Sequence, residues 1–472
     1  MAHQPFLLAL LPLVLPLSAT APTAEGETPV YGAEANPTGD PIGGGEGYRR
    51  IVTQGDYSVR TPEELLAALN AAKPGQVVCV AAERIDLAGH TNIRIPPGVT
   101  LAGNRGKGGS PGPLLFNDRM PSRHGLFQVE ADARVTALRL KGSDVDVAET
   151  DYEAKERTYL KCITAAGANV EVDNCEISNF HHSGVDVQSK NVRIHHNLIH
   201  DVHAYPVVVG SRAGLPTLIE ANIIRWVWTA LNGTGAPGTG YEARYNLIIC
   251  EKPPKSWGEA FKSHAFGMHL FRPAQPLRIA SDQILIHHNT LEMGRSFGVR
   301  IRGVPREIMD IHSNWFQDED PSRAIAPHPG NVWVHNNVYG PRKTLLPVGP
   351  GTTPQILFRR PHPPSETPEK VSGVLPLDIE VNVLKGVALK SVRIEVGGKV
   401  VYTGPTQKPM RPDDARVEGA STVVYEGPRA PTPGEAVVDT RALPDGCHEL
   451  TVTAVDNRDV AARHSVMLAV EN

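Results

Sequence analysis

His195, Glu220 and Arg244 occupy the same place in three successive copies of a short repeat, and Arg193, Leu218 and Glu242 stand two residues ahead of them. A carboxylate held between an imidazole and a guanidinium can be tuned for proton transfer. On an ordinary solvated face the same groups form ion pairs worth little. A second cluster lies in Phe180-His181-His182-Ser183-Gly184-Val185-Asp186 and His200-Asp201-Val202-His203-Ala204-Tyr205. Of these, His182, Asp186, His203 and Tyr205 are candidates for contacting a ligand. No spacing there is diagnostic of metal ligation, so the metal is left unknown. A glycine-rich stretch, Gly233 to Tyr245, ends in Tyr241, Glu242 and Arg244, which offer stacking, an acid or base, and an anion clamp. Lys262-Ser263-His264 and His269 precede Arg295, Arg300 and Arg302. Lys262, Arg302, Arg244, His195, Glu220 and Glu242 are therefore candidates for chemistry, and Tyr241, His264, His269 and Arg300 join the binding candidates.

The elements that must position these residues are set by the repeat itself. Val192-Arg193-Ile194-His195-His196-Asn197-Leu198-Ile199 recurs as Ile284 to Leu291, Met309 to Phe316 and Val332 to Tyr339, with weaker copies at Val170 to Ile177, Thr217 to Ile224 and Tyr241 to Ile248. One slot in each copy holds Cys175, Asn197, Asn222, Asn246, Asn289, Asn314 or Asn337, at spacings of 22, 25, 24, 43, 25 and 23. A period of this length without helical patterning predicts the coils of a parallel β-helix. Alternation puts the residues five and three before the slot, and two after it, in the core. It puts Asp173, His195, Glu220, Arg244, His287, His312 and His335 outward in one column, and predicts a buried ladder of slot asparagines. The runs at 180–186 and 200–205 read as loops. The long gap, 251–282, reads as an extra coil near Ser263–Phe271 or a long loop, and 144–157 reads as a charged insert.

Ahead of the repeats, Thr61-Pro62-Glu63-Glu64 opens a short helix that should end near Lys73-Pro74-Gly75. Then comes Ile93-Arg94-Ile95-Pro96-Pro97-Gly98-Val99-Thr100-Leu101-Ala102-Gly103. This opening, followed by the slot repeats, resembles the pectate-lyase-like right-handed β-helix superfamily over about 60–340. The resemblance implies an all-β fold with a short capping helix, and a protein acting on polysaccharide. A Lys-Ser pair ahead of an Arg-x-Gly strand, here Lys262-Ser263 and Arg302-Gly303, resembles the alginate- and chondroitin-lyase branch. That branch would make Lys262 the base and Arg302 the acid. From 375 onward, Leu443-Pro444-Asp445-Gly446-x-His448-x-Leu450-x-Val452-x-Ala454-x-Asp456 resembles bacterial immunoglobulin-like sandwich domains.

Composition bounds the rest. The 472 residues carry a net charge of −4, which gives no basic surplus for nucleic acid. Residues 1–21 read as a secretory signal, with an apolar run Phe6 to Leu17 and Ala19-Thr20-Ala21 as cleavage site, so a secreted, periplasmic or cell-surface product is expected, without a membrane span. Residues 22–50 read as a flexible linker, 51–340 as the β-helix, 341–374 as a proline-rich linker and 375–472 as the sandwich. Cys79, Cys162, Cys175, Cys250 and Cys447 form no dense disulfide framework; Cys162 and Cys175 could pair, or Cys175 could fill a core slot. The resulting expectation is a monomeric lyase cleaving a uronate-containing polysaccharide by β-elimination. No cofactor is demanded, and calcium is the candidate. Two alternatives stand beside it. A glycoside hydrolase would use the pair Glu220 and Glu242, or Asp186 with Glu220. A non-catalytic glycan-binding or adhesion protein would use the histidine-rich face.

Overall fold

A computed structural model describes residues 31–472 apart from 145–158, 216, 252–263, 270, 272–278, 294–296, 304, 327–331, 347–354, 361–368, 384–388, 405–420, 427–436, 458 and 460. The proposed signal (1–21), most of the 144–157 insert, and Lys262 with Ser263 lie outside the described residues. Among the described residues no helix is long and apolar enough to cross a membrane.

The chain winds into a right-handed parallel β-helix with three sheets, followed by a small β-sandwich. Among the described residues, sheet I has eleven strands, from Tyr57–Val59 to Val332–His335. Among the same residues sheet II has eleven, from Arg84–Asp86 to Thr344–Leu345, and sheet III has eight, from Ile93–Ile95 to Val299–Ile301. Each regular coil contributes one strand to each sheet. The helix α1 (Pro62–Ala71) is capped by Thr61, whose hydroxyl accepts from Glu64 N at 3.2 Å, and it buries Leu65, Ala68 and Leu69 against the first coils.

The asparagine ladder forms as the repeat predicts. Cα registers run Asp173–His195–Glu220–Arg244–His287–His312–His335, one residue per coil. Asn222 Nδ2 donates to Asn246 Oδ1 at 2.9 Å and to Ile194 O at 2.9 Å, and the same pattern repeats at Asn197, Asn246, Asn289 and Asn314. The residue just before each slot is left-handed: Asn174, His196, Ala221, Tyr245, His288, Ser313 and Asn336 have φ between 51° and 56°. That single reversal turns the chain from sheet I to sheet II and drops the slot side chain into the corner. Cys175 occupies its slot fully buried, and all five cysteines are free, so the Cys162–Cys175 pair does not form.

Two segments expected as loops are strands. Ser183–Val187 and Tyr205–Val209 belong to sheet III, the third side of the prism, and pair with each other in parallel. Ser183 and Asp186, and the histidines just ahead of the two strands, disguise them. The 43-residue gap is neither an extra coil nor a plain loop. It contains the ordinary sheet III strand of its coil, His264–Met268, paired with Thr229–Gly233 and Val299–Ile301.

Residues 31–50, expected as a free linker, are bound along the sheet I–sheet II corner. Gly32 N donates to Ser313 O at 2.9 Å, Gly43 N to Ala221 O at 2.8 Å, and Gly45 N to Asn174 Oδ1 at 2.7 Å. Their backbone amides satisfy polar atoms at the left-handed corners. The glycine content follows from this close approach: a Cβ on Gly44, at φ +67°, would lie 2.3 Å from His196 O.

The C-terminal unit begins earlier than its pattern suggested. Gln355–Arg360 pairs with Asp378–Val383, and Glu369–Val371 pairs with Ala461–Val470, so parts of the expected 341–374 linker are strands. A three-stranded and a five-stranded sheet share one core of Ile356, Phe358, Ile379, Val392, Ile394, Val452, Leu468 and neighbours. The hairpin Leu389–Val396 to Lys399–Gly404 turns on Gly397 and Gly398, both at positive φ.

Candidate functional site

The outward column of sheet I aligns in register, yet its charges are spent on one another. Asp173 is fully buried; Arg134 Nε and Nη2 donate to its two oxygens at 2.7 and 2.6 Å, and Tyr48 and Thr136 hydroxyls donate to Oδ2 at 2.7 and 3.0 Å. His195 is 2% exposed, and its Nε2 meets Glu171 at 2.9 Å, not Glu220. Burial opposes ionisation of Glu171, but His195 and Arg50 outweigh it and hold the carboxyl far below the usual range. Arg244 bridges Glu220 at 2.6 Å and Glu242 at 2.7 Å, and Glu242 also accepts from His287 at 3.0 Å. The His287 bond and Arg244 keep the Glu242 carboxyl below its ordinary value. A general acid needs a raised carboxyl, so Glu242 is unsuited to that role. Further along, His287, His312 and His335 stack at 4.8 Å per coil, with ring planes within 13° of parallel. Burial and the neighbouring imidazoles press His312 down to about 3.

Sheet III presents the other half of the candidates. Its outward residues run Thr164–Asp186–Val208–Asn232 and Gly267–Arg300 in register, beside Lys161–Ser183–Tyr205 and Thr229–His264. Lys161 pairs with the buried Asp186. His182 packs on Tyr205 at 5.5 Å and Tyr159 at 5.7 Å between ring centroids, and Tyr205 faces Trp228 at 6.4 Å. Burial and Lys161 lower the His182 pKa, so its imidazole is neutral near pH 7. His203 is buried, with Nδ1 2.7 Å from Asp144 Oδ2, and His181 stacks on it at 5.9 Å. At the far end His264 is 5% exposed, and burial with Arg302, Arg300 and His269 lowers it to about 4. Its ring lies over Gly267, where a Cβ would come within 2.6 Å of Nε2. Arg302 is exposed, with Nη2 3.4 Å from His269 Nε2.

Several expectations are corrected by this geometry. The candidates for chemistry and binding divide between two faces: His195, Glu220, Glu242 and Arg244 stand on sheet I, whereas His264 and Arg300 stand on sheet III. The pair Asp186 with Glu220 is split in the same way, and Glu220 with Glu242 is locked on one guanidinium. Tyr241 is fully buried and cannot stack on a ligand. It sits five before the slot Asn246, in register with Ile284, which is a core position. Asp186 and Tyr205 do share sheet III, with His182 packed beside them, joined by residues that the sequence did not single out: Lys161, Trp228 and Asn232; His203, 1% exposed at the corner ahead of Tyr205, is enclosed and cannot contact a ligand. Lys161 could have been found by counting back one coil from Ser183.

One group of metal-capable side chains stands out among the described residues: Glu171, Asp173 and His195, with ligand atoms within 4.8 Å of one another. Arg50, Arg134 and Arg193 all reach Glu171, at 2.8, 3.4 and 3.4 Å, and Arg134 also reaches Asp173. Three guanidiniums against two carboxylates leave no negative charge to draw a calcium ion, so the group does not fit one.

No protein-family model matches the chain, and no curated protein does. Among solved structures it is similar to the catalytic unit of a GH87 α-1,3-glucanase from Streptomyces thermodiastaticus strain HF3-3, at 16% identity and a TM-score of 0.36, over 68% of this chain. The chain spans 60% of the length of that glucanase unit. It is also similar to tailspike protein gp49 of Acinetobacter baumannii bacteriophage Fri1, a capsular polysaccharide depolymerase (8% identity, 89% of this chain, 85% of that one, TM-score 0.30). A third is the enzymatically active domain of bacteriophage CBA120 tailspike protein 2 (8% identity, 88% and 74%, TM-score 0.27). At these identities and scores the likeness concerns the winding of the chain; it does not reach the site.

Proposed function

We propose that the outer face of sheet III binds an acidic polysaccharide and cleaves it by β-elimination. One observation carries this reading: aromatic and cationic side chains line a single face. His182, Tyr205 and Trp228 stand at one end, and Arg300, Arg302 and His269 at the other. Asp186 and Arg300 are four coils apart along the sheet, about 19 Å at 4.8 Å per strand, a span fit for several sugar units. Aromatic faces take the apolar faces of sugar rings, and guanidiniums take uronate carboxylates.

In β-elimination a base removes the proton on C5. The electron pair is held as an enolate-like carboxylate, and the C4–O bond then breaks, leaving a C4–C5 double bond while the departing oxygen takes a proton from solvent water. Arg300 and Arg302 are assigned to neutralise that carboxylate. Lys262, next but one before the His264 strand in sequence, is assigned as the base. His264 has neither ring nitrogen open to solvent, so it supports the face from beneath; it does not touch the sugar. Arg244 leaves the catalytic set, because both its carboxylate partners are internal. The test is incubation of the protein with uronate and neutral glycans, read for unsaturated products and for reducing ends. Unsaturation lost about a hundredfold in Arg302→Ala, but kept in Arg244→Ala, supports the assignment. Reducing ends without unsaturation would instead make it a hydrolase.

A further inference from the structure

Sheet II carries a cavity that the sheet III groove does not use. It holds about 320 Å³, at the lower end of ligand-site volumes and suited to one sugar unit. Arg139, Lys141, Glu176, His200 and Asp201 line it, with Leu114 at one wall. Register explains their convergence. Arg139 pairs with Glu176, Lys141 with Ser178, and Ser178 with His200, so three adjacent coils place them in two outward columns. Asp201, at φ +49°, is left-handed and stands one residue before the end of the Leu198–Val202 strand.

The charges in this cavity are unevenly spent. His200 serves both carboxylates, with Nδ1 2.6 Å from Asp201 and Nε2 3.4 Å from Glu176. Burial opposes its charge, but these two bonds prevail and raise it to about 9, so it is cationic at neutral pH. That trio sums to one negative charge. Arg139 spends its Nε on Gly112 O at 2.8 Å, and neither of its terminal nitrogens has an ion pair among the described residues. Lys141 is exposed and pairs with no carboxylate among them. Two unneutralised cations against one net negative charge leave room for a single carboxylate. The oxygens of Glu176 and Asp201, oriented by His200, stand ready to accept from hydroxyls.

We propose that this cavity is a separate binding site for one uronic acid unit, with Arg139 and Lys141 holding its carboxylate and Glu176 and Asp201 accepting from its ring hydroxyls. The choice of a uronate rests on the acidic-glycan reading of sheet III, since a second site for the same sugar class would tether the polymer while the groove acts on it. The experiment is calorimetric titration of the full chain with free glucuronate and galacturonate, with glucose and inorganic phosphate as controls. Saturable binding of at least one uronate is expected, without binding of glucose. Lys141→Ala and Arg139→Gln should each weaken it tenfold or more, with unchanged melting. No saturable binding of either uronate, or binding indifferent to both substitutions, overturns the site. Phosphate binding as tightly as the uronates overturns the sugar assignment, because hydroxyl contacts would then add nothing. Arg300→Ala with Arg302→Ala must leave uronate binding intact. If that double variant loses it, the measured site is the groove. If uronate binds but no acidic glycan is cleaved, the sheet III reading fails alone.

Discussion

Asn246→Ala tests the ladder that holds the coils in register. Asn246 Oδ1 accepts from Asn222 N at 3.0 Å and Asn222 Nδ2 at 2.9 Å, and its Nδ2 donates to Ile219 O and Asn289 Oδ1, each at 2.9 Å. After truncation, Asn222 Nδ2 keeps Ile194 O, and Asn289 Oδ1 keeps Asn246 N. Asn222 N–H then loses its partner inside a fully buried corner, whereas Ile219 O gives up one acceptor bond but stays in the parallel ladder of sheet I. One buried donor left unpaired costs about 1–3 kcal/mol, with a small cavity term added. The converse change extends the ladder. Cys175 N already donates to Asn197 Oδ1 at 2.9 Å, while its Sγ only weakly contacts Val135 O at 3.7 Å. Cys175→Asn would add a donor to that carbonyl and is expected to be neutral or stabilising by up to about 1 kcal/mol. Urea unfolding, with m held constant, reads both as shifts of the midpoint. A loss below about 1 kcal/mol in Asn246→Ala would refute the claim that the ladder is a major stabiliser of the coils.

Other outcomes follow from the same contacts. His312, His288 and His196 are held at about 3, 4 and 4, each first by burial, so below an unfolded value near 6.5 the unfolded chain binds protons that the fold refuses. Stability should therefore fall as pH drops from 6.5 to about 4, while His200, raised to about 9, contributes stability present below 6.5 and lost as pH rises through 9. A melting temperature that climbs steadily from pH 4 to pH 9 would contradict this. Tyr48→Phe removes a donor from fully buried Asp173 and should cost about 1–2 kcal/mol, measured by the same urea titration, and a neutral result would mean the arm lies on the β-helix without stabilising it. Cleavage within 347–354, ahead of the Gln355–Arg360 strand, should release a folded sandwich and leave the β-helix fragment on its N-terminal side melting cooperatively; loss of either transition counts against two independent cores.

The repeat made sheets I and II legible, because a single slot residue marks each corner and alternation fixes the faces. Sheet III was harder to see. Its strands carry Ser183, Asp186 and Tyr205, with His182 just ahead of the first, so their apolar residues form no long alternating run. The candidate site is divided by the same geometry: a three-sided coil sends Glu242 and His264, close in sequence, to different sides. Tyr241 was readable from its place five before a slot; its chemistry outweighed its position. The bound arm had a signal too, in glycines at 43, 44, 45 and 47, but glycine marks close approach and flexible linkers alike.

The most direct test of the account is the product formed on an acidic polysaccharide by the full chain, compared with Arg300→Ala and Arg302→Ala on sheet III and Arg244→Ala on sheet I. Unsaturated ends should appear with the parent protein, fall about a hundredfold in both sheet III variants, and persist in the sheet I variant. Loss of unsaturated product in Arg244→Ala at full folding, with activity retained in the sheet III pair, would place the chemistry on the wrong face and contradict the account.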